Sequence, residues 1–430
     1  MNPKRYFLLT FCYLFVINLI GQTIPLPEHP RPDFERKEWV NLNGEWNFAF
    51  DSLNAGVKEN WLKDSINFNQ KITVPFPWGS ALSGVTDDAD IAWYHRTISV
   101  KDTWKDKRTF LTIGASDWET TVWLDGQLIG KHQGGYVPFS FDLTEFIQYN
   151  QVQNLVIRVD DARRDFTLYG KQGYGNARGI WQTIYLEARG QNYLEALHFT
   201  PDIDNELVKI TAYLAAPSPV DLPIQLAIKA NSYPMNYQIT FPKNKTKFSF
   251  EIDVDRPRLW TLKDPFLHEV TFKIGADEVQ SYFGMRKISV ENLPNTEIPY
   301  IALNNKPIYL QLALDQSYHP EGFYTFPSDQ FIKEEIERSK SIGLNGIRTH
   351  IKVEVPRKLY WADKLGLLVM EDLPNSWGEP EAQMQEESTY TLKEMIKRDY
   401  NHPSIFSWVV FNESWWFIFI TEDKDAYRKS

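Results

Sequence analysis

The feature that most constrains the fold is an alternation of short apolar strands with helices over residues 306–413. Four strand-like runs are separated by three segments with a helical pattern: "KPIYLQLALDQ", "LNGIRTH", "LLVMEDLPN" and "SIFSWVVFNE". Apolar strands joined by helices are typical of a parallel sheet. The strands are predicted to end at Asp315, His350, Asp372 and Glu413. Four such strands make half of a (β/α)₈ TIM barrel, in which active sites lie at the carboxyl ends of the strands.

The residues before this region show short strands without helices. Asp125-Gly126 lies between two alternating runs and predicts a β-hairpin. We therefore expect a jelly-roll β-sandwich over residues 23–189 and an immunoglobulin-like β-sandwich over 190–291. The strands predicted in the latter are "LVKITAYLAA", "PIQLAIKA", "KFSFEIDV", "LHEVTFKIG" and "SYFGMRKISVEN". The incomplete barrel then occupies 292–430. The Gly-rich stretch "YGKQGYGNARG" is long enough to reach a cleft, although such stretches are more often simple connectors.

The first 22 residues have the pattern of a secretory signal peptide. Lys4 and Arg5 precede an apolar run that is too short to span a bilayer comfortably, and the small residue Gly21 follows it. The only cysteine, Cys12, lies within this run, so the mature chain would carry neither a disulfide nor a thiolate. The pattern predicts export, to the periplasm or the medium, with no membrane attachment after cleavage.

Charge and ligand patterns argue against several classes of partner. The chain has 46 Lys and Arg against 56 Asp and Glu, net −10, and no long basic block, so we expect no nucleic acid. It shows no His/Cys cluster with metal-ligand spacing and no phosphate-binding loop, so we expect no metal and no cofactor. The aromatic fraction of 15% suits both β-sandwich cores and sugar-binding clefts.

Several motifs together resemble glycoside hydrolase family 2, the β-galactosidase and β-glucuronidase family. The resemblance begins near residue 36 and rests on their order and spacing. The motifs are "VNLNGEWNFAFD", "VWLDGQLIGKHQGGYVPFSFDLTEFI", "RGIWQTIYLEA", "FGMRKISV", "GLNGIRTH", "YWADKLGLLVMEDLPN" and "NHPSIFSWVVFNES". The resemblance implies a retaining glycosidase that hydrolyses β-linked sugars, with a carbohydrate as its substrate.

The resemblance also implies roles for residues at the predicted strand ends. Glu413 would be the general acid/base, and Asn412 would donate to the sugar 2-hydroxyl. A retaining glycosidase needs two carboxyl groups about 5–5.5 Å apart, one as proton donor and one as nucleophile. The remaining candidates for substrate binding are His350, Arg348, Asp315, Asp372 and Trp415. Three of them also have a structural alternative: His350 as a packing histidine, Arg348 as a brace of the barrel, and Asp372 as a solvated strand end.

The family's nucleophile lies on barrel strand seven, and this chain ends before strand five could begin. We therefore expect no nucleophile within the chain, which looks like a truncated family member, and no glycoside hydrolysis by the chain alone. One alternative is a non-catalytic carbohydrate-binding protein, and another is a fragment that needs a complementary chain. A homo-oligomer is also compatible with the sequence.

Overall fold

The computed structural model describes residues 24–63, 67–170, 172–230, 233–376 and 381–412. The predicted signal peptide and Cys12 lie outside the described residues. Within the described residues, no helix is long and apolar enough to cross a membrane.

The first unit is a β-sandwich of two main sheets. Its larger sheet has the order β3-β2-β4-β10-β7-β8, its smaller sheet has the order β1-β12-β5-β9, and β6 pairs with β11. The strands are β1 Trp39–Asn41, β2 Gly44–Phe50, β3 Gln70–Val74, β4 Ile91–Ile98, β5 Arg108–Ile113, β6 Ser116–Asp117, β7 Glu119–Leu124, β8 Gln127–Gln133, β9 Phe139–Asp142, β10 Gln153–Asp160, β11 Gly179–Ile180 and β12 Ile184–Arg189. Three short 3₁₀ helices lie between strands, at Ala81–Ser83, Asp102–Trp104 and Gln172–Tyr174.

Local sequence signals and apolar burial account for this sandwich. Asp125 and Gly126 have φ values of 49° and 79°, the left-handed pair that a two-residue hairpin requires, so the hairpin prediction is confirmed. Large aromatic side chains, among them Trp46, Phe48 and Trp78, are almost fully buried between the sheets. Each such side chain contributes roughly 1.5–3 kcal/mol by leaving water.

The second unit is a seven-stranded sandwich of immunoglobulin type. One sheet has the order β13-β14-β17 and the other β16-β15-β18-β19. Two of its strands, β13 and β16, had no counterpart among our predictions. Its strands are β13 Leu194–Asp202, β14 Leu207–Leu214, β15 Leu222–Ala230, β16 Tyr233–Phe241, β17 Lys247–Asp253, β18 His268–Ile274 and β19 Asp277–Phe283.

The single strand predicted at "SYFGMRKISVEN" is wrong. The stretch divides between β19 and a separate strand, β20 Ile288–Asn292, which forms an antiparallel sheet with β21 Pro299–Leu303 and β22 Lys306–Pro307. Arg286 lies at the break, and its guanidinium donates to the backbone oxygens of Pro403 and Ile405 at 3.1 and 2.6 Å. Arg286 therefore connects the break between β19 and β20 to the start of β26 Ile405–Val409.

The third unit is the predicted parallel sheet, with the order β23-β24-β25-β26. Its elements are β23 Leu312–Asp315, α1 Asp329–Ser341, β24 Gly346–Thr349, α2 Pro356–Leu365, β25 Leu368–Asp372, α3 Ala382–Asp399 and β26 Ile405–Val409. The sheet with its three helices confirms the partial barrel, and the three units together confirm the predicted fold class. Strands β24 and β26 end earlier than predicted, at Thr349 and Val409 rather than at His350 and Glu413.

Capping residues set the helix bounds. Ser328 caps α1, since its hydroxyl oxygen accepts the Phe331 N–H at 3.1 Å. Gly366 ends α2 with φ +73°, and a Cβ there would lie 2.7 Å from the Leu262 oxygen, so both the turn and the packing require glycine.

Charged contacts connect the three units. Arg36 pairs with Glu187 of the jelly roll at 3.0 Å and with Asp277 of the second sandwich at 2.9 Å. Arg31 donates to the backbone oxygen of Arg398, at the end of α3, at 3.2 Å. The segment before β1 therefore fixes the jelly roll beside the barrel.

Candidate active site

A cluster of polar side chains lies at the carboxyl ends of the parallel strands. Side chains alternate between the faces of a strand, and Ile347 and Val369 pack towards the helices, so Arg348 lies on the opposite face. The Arg348 Nε lies 3.0 Å from both carboxylate oxygens of Asp372. The Arg348 Nη2 donates to Asp372 Oδ2 and to Asn412 Oδ1, at 2.8 Å each. One guanidinium therefore joins the ends of three strands.

His350 and Asn412 complete the strand-end cluster, which comprises Arg348, His350, Asp372 and Asn412. The His350 Nδ1 lies 3.2 Å from Asp372 Oδ2, and the Asp372 side chain is fully buried. Asn375, which follows β25, donates from Nδ2 to the backbone oxygen of Asn412 at 3.2 Å. Because Arg348 binds the amide oxygen of Asn412, the amide nitrogen is turned away from the guanidinium.

Asp315 lies in a different set of contacts. Its carboxylate pairs with the Lys358 ammonium at 2.6 Å and accepts the Ser317 N–H at 2.7 Å. Burial acts to raise the pKa of Asp315, but Lys358 outweighs it and lowers that pKa. Lys358 also lies 3.6 Å from the buried Glu354. The nearest link to the strand-end cluster is through the backbone, where the His350 N–H donates to the Asp315 oxygen at 2.8 Å.

The Gly-rich stretch of the jelly roll is not a simple connector. It belongs to a longer segment, residues 161–170 and 172–178, which we name the jelly-roll loop. The N–H groups of Tyr169 and Gly170 both donate to the Asn375 oxygen, at 3.0 and 3.1 Å. Tyr318 lies just after β23, and its hydroxyl donates to the backbone oxygen of Gly175. The loop therefore reaches the ends of both β23 and β25, and forms a wall beside the strand-end cluster.

A polar cavity of about 150 Å³ lies behind this wall. Two carboxyl groups line it, and burial raises the pKa of Asp117 to about 6 and that of Asp161 well above its usual value. Asp117 accepts from Gln172 Nε2 at 3.0 Å, and Asp161 lies 3.6 Å from Arg178. The other lining residues are Arg163, Thr167, Leu168, Tyr169 and Asn176.

Sequence reasoning missed this cavity. Asp117 ends β6 and Asp161 follows β10, so neither falls in a recognisable motif. Their raised pKa values depend on distant chain segments that fold over them.

Two predicted site residues, Glu413 and Trp415, lie outside the described residues, and their roles stay predictions. The roles proposed for Arg348, His350, Asp372, Asn412 and Asp315 likewise stay predictions, although the structure brings the first four together. Across the part of the chain that the structure describes, no group of three or more His, Cys, Asp or Glu side chains is placed to hold a metal ion.

Relatives of known sequence carry the names of two glycosidases. The chain is 25% identical over 414 residues to a β-galactosidase of Thermoanaerobacter pseudethanolicus, covering 91% of this chain and 53% of that protein. It is 23% identical over 421 residues to a β-glucuronidase of Bacteroides fragilis, covering 88% of this chain and 56% of that protein. The chain thus spans about half the length of these curated relatives.

Solved structures show the same fold. A β-glucuronidase from Ruminococcus gnavus in complex with D-glucuronic acid matches with a TM-score of 0.76 at 19% identity, over 93% of this chain and 71% of that chain. The β-glucuronidase of Lactobacillus rhamnosus matches with a TM-score of 0.74 at 21% identity, over 87% of this chain and 66% of that chain.

Three family models match in succession along the chain. They are the sugar binding domain of glycosyl hydrolases family 2 at residues 39–188, the family 2 domain at 192–286, and the family 2 TIM barrel domain at 297–429. Together they account for all three structural units, in the order that the fold shows. The chain belongs to glycoside hydrolase family 2.

Proposed function

We propose that the strand-end cluster is part of a β-glycosidase active site that binds a β-linked sugar. The observation that carries this proposal is the contact of Arg348 with both Asp372 and Asn412. The contact fixes the side chain of Asn412, which immediately precedes Glu413. Asn412 lies at the carboxyl ends of the barrel strands, where such sites are built. Relatives named β-galactosidase and β-glucuronidase support the same class of reaction.

In the proposed mechanism, Glu413 protonates the glycosidic oxygen as the sugar leaves. The Asn412 amide nitrogen donates to the sugar 2-hydroxyl, an interaction that strengthens as positive charge develops at the anomeric carbon. Asp372 holds Arg348 and His350 in place, so the donors that face the sugar need little reorganisation. The prediction that the nucleophile is not within this chain stays a prediction.

The polar cavity behind the jelly-roll loop is connected to the strand-end cluster by hydrogen bonds. Tyr169 lines the cavity and is hydrogen-bonded to Asn375, which is hydrogen-bonded to Asn412. Below pH 6 the Asp117 carboxyl is largely protonated, since burial raises its pKa to about 6, and can both donate to and accept from hydroxyl groups.

Calorimetric binding of 4-nitrophenyl β-galactoside and 4-nitrophenyl β-glucuronide to the purified chain tests the proposal. We expect at least one of them to bind, and Asn412→Ala to weaken that binding about tenfold through loss of a hydrogen bond. Asn236→Ala is the matched control, because Asn236 is an exposed asparagine on β16 and should leave binding unchanged.

Two results would count against the proposal: no binding of either glycoside, or an Asn412→Ala variant that binds as well as the original chain. Release of 4-nitrophenolate measures turnover separately. Turnover that Glu413→Gln abolishes would contradict the prediction that the chain alone is inactive, and would support the role of Glu413.

We also propose export, on the strength of the charged start, the apolar run and the small residue at positions 1–22. Mass spectrometry of the mature N-terminus from culture medium or periplasm should show cleavage near residue 22. An intact Met1 on the accumulated protein would argue against export.

A further inference from the structure

The jelly-roll loop is held against the barrel by two close approaches that only glycine permits. Gly170 has φ +60°, and a Cβ there would lie 2.6 Å from the backbone oxygen of Ile351, next to His350. Gly175 has φ +141°, and a Cβ there would lie 2.4 Å from the Tyr318 hydroxyl oxygen. The loop is thus seated on the barrel at the ends of β23 and β24, and its position is specified by packing.

Between these two contacts lies the short 3₁₀ helix Gln172–Tyr174, which has one buried side and one exposed side. Gln172 is 3% exposed, donates to Asp117 and accepts the Ala177 N–H at 2.7 Å. Tyr174, two residues later, is 62% exposed. The buried glutamine therefore fixes a helix whose other side presents a tyrosine ring to solvent.

A second tyrosine, Tyr318, packs against this ring. The ring centroids of Tyr174 and Tyr318 are 5.8 Å apart, and Tyr318 in turn packs against Phe323 and Tyr324 at 5.8 and 5.7 Å. Tyr318 is held by its hydroxyl bond to Gly175. An isolated exposed tyrosine needs no explanation, but this ring packs on a cluster of aromatic side chains at the rim of the proposed site.

The location of the ring determines what it can contact. Tyr318 follows β23, whereas Asn412 follows β26, and these are the two edge strands of the four-stranded sheet. Adjacent strands lie about 4.8 Å apart, so the two edges are separated by roughly 14 Å along the sheet. This is longer than one pyranose ring, so we expect a sugar bound at Asn412 to leave the space beside Tyr318 and Tyr174 to a neighbouring sugar residue.

We propose that Tyr174, supported by Tyr318, is a stacking platform for a second sugar ring, and that the chain selects oligosaccharides over monosaccharides. Aromatic faces suit the apolar face of a pyranose, and the tyrosine hydroxyl remains available to solvent or to a sugar hydroxyl. The inference rests on the proposed function, because it assumes that the first sugar occupies the strand-end cluster.

Calorimetry with matched ligand pairs tests the inference. One pair is methyl β-galactoside and lactose, and the other is methyl β-glucuronide and the β-1,4-linked disaccharide of glucuronic acid and glucose. We expect a disaccharide to bind more tightly than its methyl glycoside. Tyr174→Ala should weaken disaccharide binding about fivefold and leave methyl glycoside binding unchanged, while Tyr174→Phe keeps the ring and should preserve both.

Tyr309→Ala is the matched control, because Tyr309 is 70% exposed but precedes β23, at the opposite end of the strand from Tyr318. Saturation-transfer NMR on the original chain should show enhancement of the reducing-end ring protons, which needs no variant. If Tyr174→Ala changed the affinity for both ligands of a pair equally, or changed neither, the role of Tyr174 as a stacking platform would be refuted while the proposed function would stand. Failure of the original chain to bind any of the four sugars would overturn the proposed function as well.

Discussion

Glu387 on α3 offers the sharpest test of how the jelly roll is attached to the barrel. Its Oε1 accepts from Trp118 Nε1 at 2.9 Å and from the Leu168 N–H at 3.4 Å. Its Oε2 is buried and has no hydrogen-bond partner among the described residues. Burial is the main cause that raises the pKa of Glu387 from 4.5 to about 7, and nearby Asp117 adds to it.

The sign of the pH dependence follows from this raised pKa. Below pH 4.5 the carboxyl is protonated in both the folded and the unfolded chain, so it imposes no penalty. As the pH rises to about 7, the unfolded chain releases the proton while the folded chain retains it, and the free energy of unfolding falls. At 1.36 kcal/mol per pKa unit, the loss amounts to about 3 kcal/mol.

Urea denaturation of the original chain and of Glu387→Gln, at intervals from pH 4.5 to 8, measures this loss. The amide cannot ionise, so the variant should gain about 3 kcal/mol over the original chain between pH 4.5 and 7, with no further gain above pH 7. Glu386→Gln removes an exposed carboxylate from the same helix and serves as the control. A pH-independent difference between Glu387→Gln and the original chain would refute the reasoning.

Substitutions at three other positions test the local arguments, each by urea denaturation. Ser328→Ala should lower the free energy of unfolding by about 1 kcal/mol, and an unchanged value would contradict the N-cap assignment. Asp372→Ala should lower the free energy of unfolding by about 3 kcal/mol, because it leaves Arg348 without its carboxylate. Asp372→Asn should lower it by less, and equal losses for the two variants would argue against the charge pair. Gly175→Ala should lower the free energy of unfolding by at least about 1 kcal/mol, because of the positive φ of Gly175 and the clash with Tyr318. An unchanged value would show that the loop does not pack against Tyr318 as described.

The predictable parts of the fold are those that neighbouring residues specify. The Asp125-Gly126 turn and the strand–helix alternation are both local signals, and each appears in the structure where the sequence places it. Strand β16 was missed because "YPMNYQITF" contains a proline and polar residues, which an outer strand of a sheet tolerates.

The candidate site was only partly predictable for the same reason. The parallel strand order brings Arg348, Asp372 and Asn412 together at the carboxyl ends of the strands. The strand–helix alternation in the sequence is enough to predict this. The separation of Asp315 from this group depends on Lys358, which comes from a helix packed behind the sheet. The seating of the loop against Tyr318 joins residues 143 apart in sequence, and no local pattern encodes it.

The segment before β1 has a consequence for the order in which the protein is made. Arg31 and Arg398 are separated by 367 residues, which take about 20 to 70 s to synthesise. During that interval Arg36 can pair with Glu187 and then with Asp277, whereas Arg31 still lacks its contact with the end of α3. The attachment of this segment to the barrel is therefore completed only after α3 has been made.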